Sequence, residues 1–177
     1  MFLLIRMEYS KMKRKTAYLG MMAAAAILLG YIESLLLLYI GVPGVKLGIS
    51  NLATVFVLYY YGTKEAALVS AVRILVVGFL FGNLFSILFS LAGAALSLLV
   101  MAGVKRIRGF SVFGVSMAGG IAHNVGQLIV ASFVVENFYI LYYLPVLLIS
   151  GMICGFLIGI ASGAVIRRVS PESLNNM

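Results

Sequence analysis

Several side chains that can bind or recognise stand inside stretches otherwise made of hydrocarbon: Glu33, Asn51, Arg73, Asn83, His123, Asn124 and Gln127, with Lys46 close by. Their types suit recognition better than bond making. An arginine offers a planar fork of donors to a carboxylate or phosphate, and imidazole and amide groups add further donors and acceptors. His123 is the single histidine and lies in "GGIAHNVGQLIV". Gln127 follows at i+4, one turn on and on the same helical face. Each group is costly in hydrocarbon unless it meets a partner, water or a ligand.

Arrangements that make and break bonds are not legible. Ser116 and Ser132 flank His123 at the wrong distances for local contact. No glycine loop after a strand could cradle a phosphate. Cys154 is the only cysteine, which leaves no internal disulfide and no Cys/His metal spacing, and it reads as a small buried hydrophobe. No catalytic residue, cofactor or metal is expected, and the chain carries no ATP-binding motif, so energy for transport must come from a partner or an ion gradient.

The elements that hold these groups follow from composition. Of 177 residues, 63% are hydrophobic and 10% charged, with a mean hydropathy of +1.14. A soluble domain has about a quarter of its residues charged, so this is an all-α integral membrane protein. Spanning helices of roughly 20 apolar residues are predicted near 16–39, from 45 or 49 to 61 (a short one), and near 65–81, 84–104, 112–134 and 141–166. The breaks are "YIGVPGVKLG", "YYYGTKEA", the tight turn Gly82-Asn83, "KRIRGFS" and "ENFY". Residues 1–15 form a basic tail, 16–168 one six-helix transmembrane domain, and 169–177 a second tail. Met7 and Met12 are alternative starts for a first dozen residues read as a frayed tail. Because the first apolar run continues to Tyr39, it reads as an uncleaved helix rather than a signal peptide.

Six helices put both termini on one side, and the basic residues test that layout. Arg6, Lys11, Lys13, Arg14, Lys15, Lys64, Lys105, Arg106, Arg108, Arg167 and Arg168 all fall on one face; Lys46 alone falls on the other. By the positive-inside rule both termini are cytoplasmic. The net charge of +8 is therefore topological, and its dispersal over tails and short loops argues against nucleic acid as a partner.

At about 1.5 Å per residue, Arg73 and His123 lie near the midplane. Glu33, Lys46, Asn51 and Asn83 lie in the outer half, and Glu136 is a rim residue. Two readings stay open. One is a self-satisfied network, with Glu33 paired to Arg73 or Lys46. The other is a pocket open to the outside, floored by Arg73 and His123, lined further by Asn51, Asn83, Asn124 and Gln127, and capped by the loop around Lys46. Two firm cations against one firm anion favour a small-molecule ligand with an anionic or acceptor-rich group.

Small residues mark close helix packing. Gly151, Gly155, Gly159 and Gly163 repeat every four residues, as do Gly114, Ala118, Ala122 and Gly126. Gly20, Ala24, Ala26 and Gly30 make a similar stripe on the first helix, which faces either the bundle or another protein.

The segments "PGVKLGISNLATVFVLYYYGTKEAALVSAVRILVVG", "FSLAGAALSLLVM" and "GGIAHNVGQLIVA" through "YYLPVLLISGMICGFLIG" resemble a bacterial membrane family that goes under two names, Gx transporter and heptaprenyl diphosphate synthase component I. The resemblance runs over roughly residues 17–166. The six-helix layout is also similar to the S components of energy-coupling factor transporters. That likeness implies a capture subunit in a bacterial cytoplasmic membrane, partnered by an energising transmembrane protein and ATP-binding-cassette subunits. It makes Gly20, Ala24, Ala26 and Gly30 the coupling stripe and residues 41–48 the lid. The synthase name implies an accessory subunit of isoprenoid or quinone metabolism, or of a membrane redox assembly. Prenyl synthases resemble one another in holding Mg²⁺ with aspartate-rich motifs, and Mg²⁺ requires hard oxygen ligands. All five acids here are glutamates, scattered along the chain, so a catalytic synthase subunit is not expected.

Overall fold

The computed structural model describes residues 2–40 and 48–169. They form α1 (Phe2–Ile40), α2 (Asn51–Tyr60), α3 (Thr63–Phe81), α4 (Leu84–Val104), α5 (Val112–Val134), a short 3-10 turn at Phe138–Tyr143, and α6 (Leu144–Arg168). Four segments are long and apolar enough to cross a membrane: Lys11–Leu36, Leu84–Val104, Val112–Val134 and Phe138–Arg168. The result is a helical, membrane-embedded bundle.

The predicted breaks sit where the helices stop. Gly82 and Asn83 join α3 to α4, and Asn83 caps α4 by accepting from the Ser86 N–H at 2.8 Å while Ser86 Oγ accepts from the Asn83 N–H at 3.1 Å. That reciprocal box satisfies two of the donors a helix start leaves open. Gly62 opens α3 at φ 107°, a conformation that favours glycine. Pro145 stands in the first turn of α6, where its missing N–H is tolerated.

The first helix begins earlier than predicted: α1 is continuous from Phe2, so the basic residues 11–15 are helical and not a tail ahead of the helix. The second helix, expected to be short, is far shorter than a span. Its 10 residues rise only about 15 Å, half the hydrocarbon thickness. Of its two predicted starts, 45 lies outside the described residues, as does the predicted lid with Lys46 except for Gly48; the other start, Ile49, lies two residues before α2.

Helix α2 is enclosed by its neighbours. Residues 53–58 are buried in succession, all round the helix, against Ala26 of α1, Val69 of α3, Val115 of α5 and Ile158 of α6. A helix apolar on every face belongs in such a place. At the basic end its last carbonyls are held: Lys105 Nζ donates to Leu58 O at 2.7 Å and sits 4.7 Å over the Tyr59 ring. Tyr60 reaches the last turn of α6 through the Ile166 and Val169 carbonyls. Lys15 pairs with Glu65 at 2.6 Å, tying α1 to α3.

The α6 glycine row meets α5 backbone to backbone. A Cβ on Gly151 would lie 2.7 Å from Gly120 O, one on Gly155 2.7 Å from Ser116 O, and one on Gly159 2.8 Å from Phe113 Cα, while Gly163 faces the Phe113 ring. The α5 residues on this seam are thus Phe113, Ser116, Met117 and Gly120. Of the predicted α5 row, Gly126 packs on Ala92 and Gly93 of α4, Gly114 faces the Phe110 ring, Ala122 is buried, and Ala118 is half-buried. Two adjacent glycines, Gly119 and Gly120, point about 100° apart and serve two neighbours: Gly119 meets Met101 of α4, Gly120 meets α6.

The α1 stripe divides in the same way. Gly20 and Ala24 are exposed, with nothing within 4 Å of a Cβ on Gly20. Ala26 and Gly30 are buried, Gly30 against Val77 and Arg73 of α3. This second pair packs inside the bundle and presents no surface to another chain.

Candidate functional site

The site is built from the loop entering α2, the far end of α1 and the middle of α3. Ser50 is fully buried at the start of α2. Its hydroxyl accepts from Arg73 Nη1 at 2.7 Å and donates to Glu33 Oε2 at 3.1 Å. Glu33 Oε1 also accepts from the Gly48 N–H, and Arg73 Nη2 donates to Asn51 Oδ1 at 3.3 Å. Glu33 and Arg73 are therefore linked through a serine rather than by direct ion pairing. Gly30 lies beside this link: a Cβ there would come within 3.0 Å of the Val77 side chain and make ordinary contact with the Arg73 stem at 3.5 Å.

The guanidinium keeps capacity in reserve. It carries five N–H donors, of which the bonds to Ser50 and Asn51 use two. Its Nε is sealed from solvent and, among the described residues, has no hydrogen-bond partner. A buried donor left in that state is unfavourable by about 1–3 kcal/mol, which an acceptor from a ligand or water would relieve.

Arg73 and Glu33 line two adjoining cavities. The larger, about 230 Å³, lies between α1, α3 and α4 and is walled by Gly30, Ser34, Ile74, Val77, Gly78, Phe81, Gly82, Ser86 and Ser90. The smaller, about 40 Å³, runs inward past Ser50 and Asn51 to His123, Asn124, Cys154 and Gly155. It has room for a few waters at roughly 10–15 Å³ each.

Glu33, Asn51, Arg73, His123 and Asn124 are thus brought together. His123 is buried with its ring close to Gly93 of α4. Asn124 is committed to the α5–α6 seam, donating to Leu147 O at 2.7 Å and Ser150 Oγ at 3.3 Å. Gln127 packs on Gly93 and Asn83 caps α4; neither lines these cavities. Cys154 is half-buried at the inner cavity rather than fully enclosed. Sequence reasoning missed Ser50, Ser86 and Ser90. The last two lie one turn apart at the start of α4, an i, i+4 pair that places two hydroxyls on one face.

A family model described as heptaprenyl diphosphate synthase component I matches residues 22–165. The chain belongs to that family. The matched region holds every residue of both cavities. No curated protein and no solved structure matches the chain.

Proposed function

We propose that this member of the heptaprenyl diphosphate synthase component I family is a membrane binding subunit, similar to an S component, that captures a small molecule with an anionic or acceptor-rich group. The observation that supports it best is Arg73, held by Ser50 and Asn51 at the junction of two cavities with a buried donor to spare. In this reading six helices lie in a bacterial cytoplasmic membrane with both termini in the cytoplasm, and α2 is a half-span enclosed by the others. The site then opens toward the outer face, away from the basic end of the bundle. Energising transmembrane and ATP-binding-cassette subunits are its proposed partners. Exposed Gly20 and Ala24 offer them a smooth patch on α1. The deciding experiment is mass spectrometry of small molecules carried through purification by the wild-type chain and by Arg73→Gln.

The family description favours a second reading, an accessory membrane subunit of heptaprenyl diphosphate synthesis. Copurification separates the two: ATP-binding-cassette proteins follow the tagged chain in the first case, an isoprenoid-synthesising enzyme in the second.

A further inference from the structure

The larger cavity has one wall missing. Helix α1 packs along α3 and α2, and α4 packs on α3 and α5. Among the described residues α1 and α4 share no packed seam, so a gap stands between them with α3 as its floor. The cavity occupies this gap: Glu33 and Ser34 come from α1, Arg73 and Phe81 from α3, Ser86 and Ser90 from α4.

Polarity changes across it. Arg73 supplies donors and Ser86 and Ser90 line the wall with hydroxyls, that of Ser86 donating to Asn83 O at 2.9 Å, while Val77 and Phe81 are apolar. Phe81 is 50% exposed and its ring lies 4.7 Å from that of Tyr31, itself 39% exposed on α1. Neighbouring turns of the same helices present Ile32 and Leu35 on α1 and Phe85 and Leu88 on α4, all exposed as a lipid-facing surface would be. The volume, about 230 Å³, falls below the roughly 300–1,000 Å³ that encloses a drug-sized ligand. It suits a head group whose remainder lies outside.

We infer that the ligand is a single-chain amphiphile with a phosphate or carboxylate head, which enters sideways from the bilayer between α1 and α4. The head meets Arg73, and the chain leaves past Phe81 into lipid. This rests on the reading that the Arg73 site binds a ligand, and adds the route and the chemical class. An anionic head drawn below the surface is stabilised by the arginine fork, and its chain never leaves hydrocarbon.

The test uses the full chain in phosphatidylcholine nanodiscs and dodecyl phosphate or dodecanoate carrying a mid-chain diazirine. Photolabelling is expected on the α1, α3 and α4 peptides that line the gap. Excess unlabelled dodecyl phosphate or dodecanoate should displace the matching probe, and inorganic phosphate or acetate at the same concentration should not. Labelling should fall at least tenfold in Arg73→Gln. It should fall equally in Ser34→Trp, which fills the mouth without touching the Glu33–Ser50–Arg73 link. If inorganic phosphate or acetate competes as well as the chain-bearing compounds, the head-group site stands and sideways entry is overturned. Labelling spread evenly over all lipid-facing helices and unchanged in both variants overturns the inference too. If, in addition, nothing copurifies with the wild-type chain, the binding reading falls with it.

Discussion

Arg73 reaches Glu33 through Ser50. The serine hydroxyl accepts from the guanidinium at 2.7 Å and donates to the carboxylate at 3.1 Å, so one small side chain neutralises neither charge but orients both. Because Ser50 is fully buried, water cannot replace it at low cost. The position of the arginine fork therefore depends on a residue that carries no charge.

Ser50→Ala removes the shared partner and leaves both ions short of a bond. We expect a loss of about 1–3 kcal/mol in reversible unfolding in detergent, together with weaker ligand retention. Ser50→Thr keeps the hydroxyl and should recover most of the retention. Equal loss in both variants would mean that packing, not the hydrogen bonds, is what Ser50 supplies.

The α5–α6 seam makes a contrast between glycines. Gly151→Ala and Gly155→Ala place a methyl against the backbone of α5, with oxygen atoms 2.7 Å away in each case. Overpacking of this kind costs about 1–3 kcal/mol. Gly20→Ala meets open space and should leave the melting temperature unchanged or slightly higher, as alanine favours helix. A thermal-shift series on the three variants checks the ordering.

Asn124→Leu removes the amide that donates to Leu147 O and Ser150 Oγ. Ser150 itself donates to Leu147 O at 3.0 Å, so that carbonyl keeps a partner. The expected loss is modest, about 0.6–1.7 kcal/mol, as for other interhelical hydrogen bonds in membranes. Chemical denaturation in mixed micelles reads it directly.

Topology is testable with single cysteines in a Cys154→Ala background. A cysteine at Asn137 should react with an impermeant maleimide in intact cells. One at Arg108 should react only after permeabilisation. The reverse pattern would place the Arg73 site toward the cytoplasm, and reaction of both from one side would contradict the six-span layout.

The sequence showed the helices better than their neighbours. The ends of α4 and α5 were legible because glycine, asparagine and a run of basic residues interrupt the hydrocarbon at Gly82-Asn83 and at Lys105–Arg108. The continuity of α1 was not, since Lys11, Arg14 and Lys15 read as tail yet are good helix formers. Glu33, Asn51, Arg73, His123 and Asn124 stood out as polar groups in apolar runs. Ser50 did not, because a lone serine is unremarkable in any helix start and gains meaning only from the two ions beside it. Four-residue spacing found the α6 glycines. On α5 it found a row of which Gly126 packs on α4, and it passed over Gly119-Gly120, because spacing alone does not say which helix each stripe meets.

The most direct test of the account is the small-molecule content of the purified chain. Wild type, Arg73→Gln and Arg73→Lys are isolated from the same membranes, checked for matching helix content, and examined by mass spectrometry. The account predicts a species with a phosphate or carboxylate group in the wild type, lost at least tenfold in both variants, since lysine keeps the charge but not the planar fork. The same species retained in all three folded proteins would contradict it.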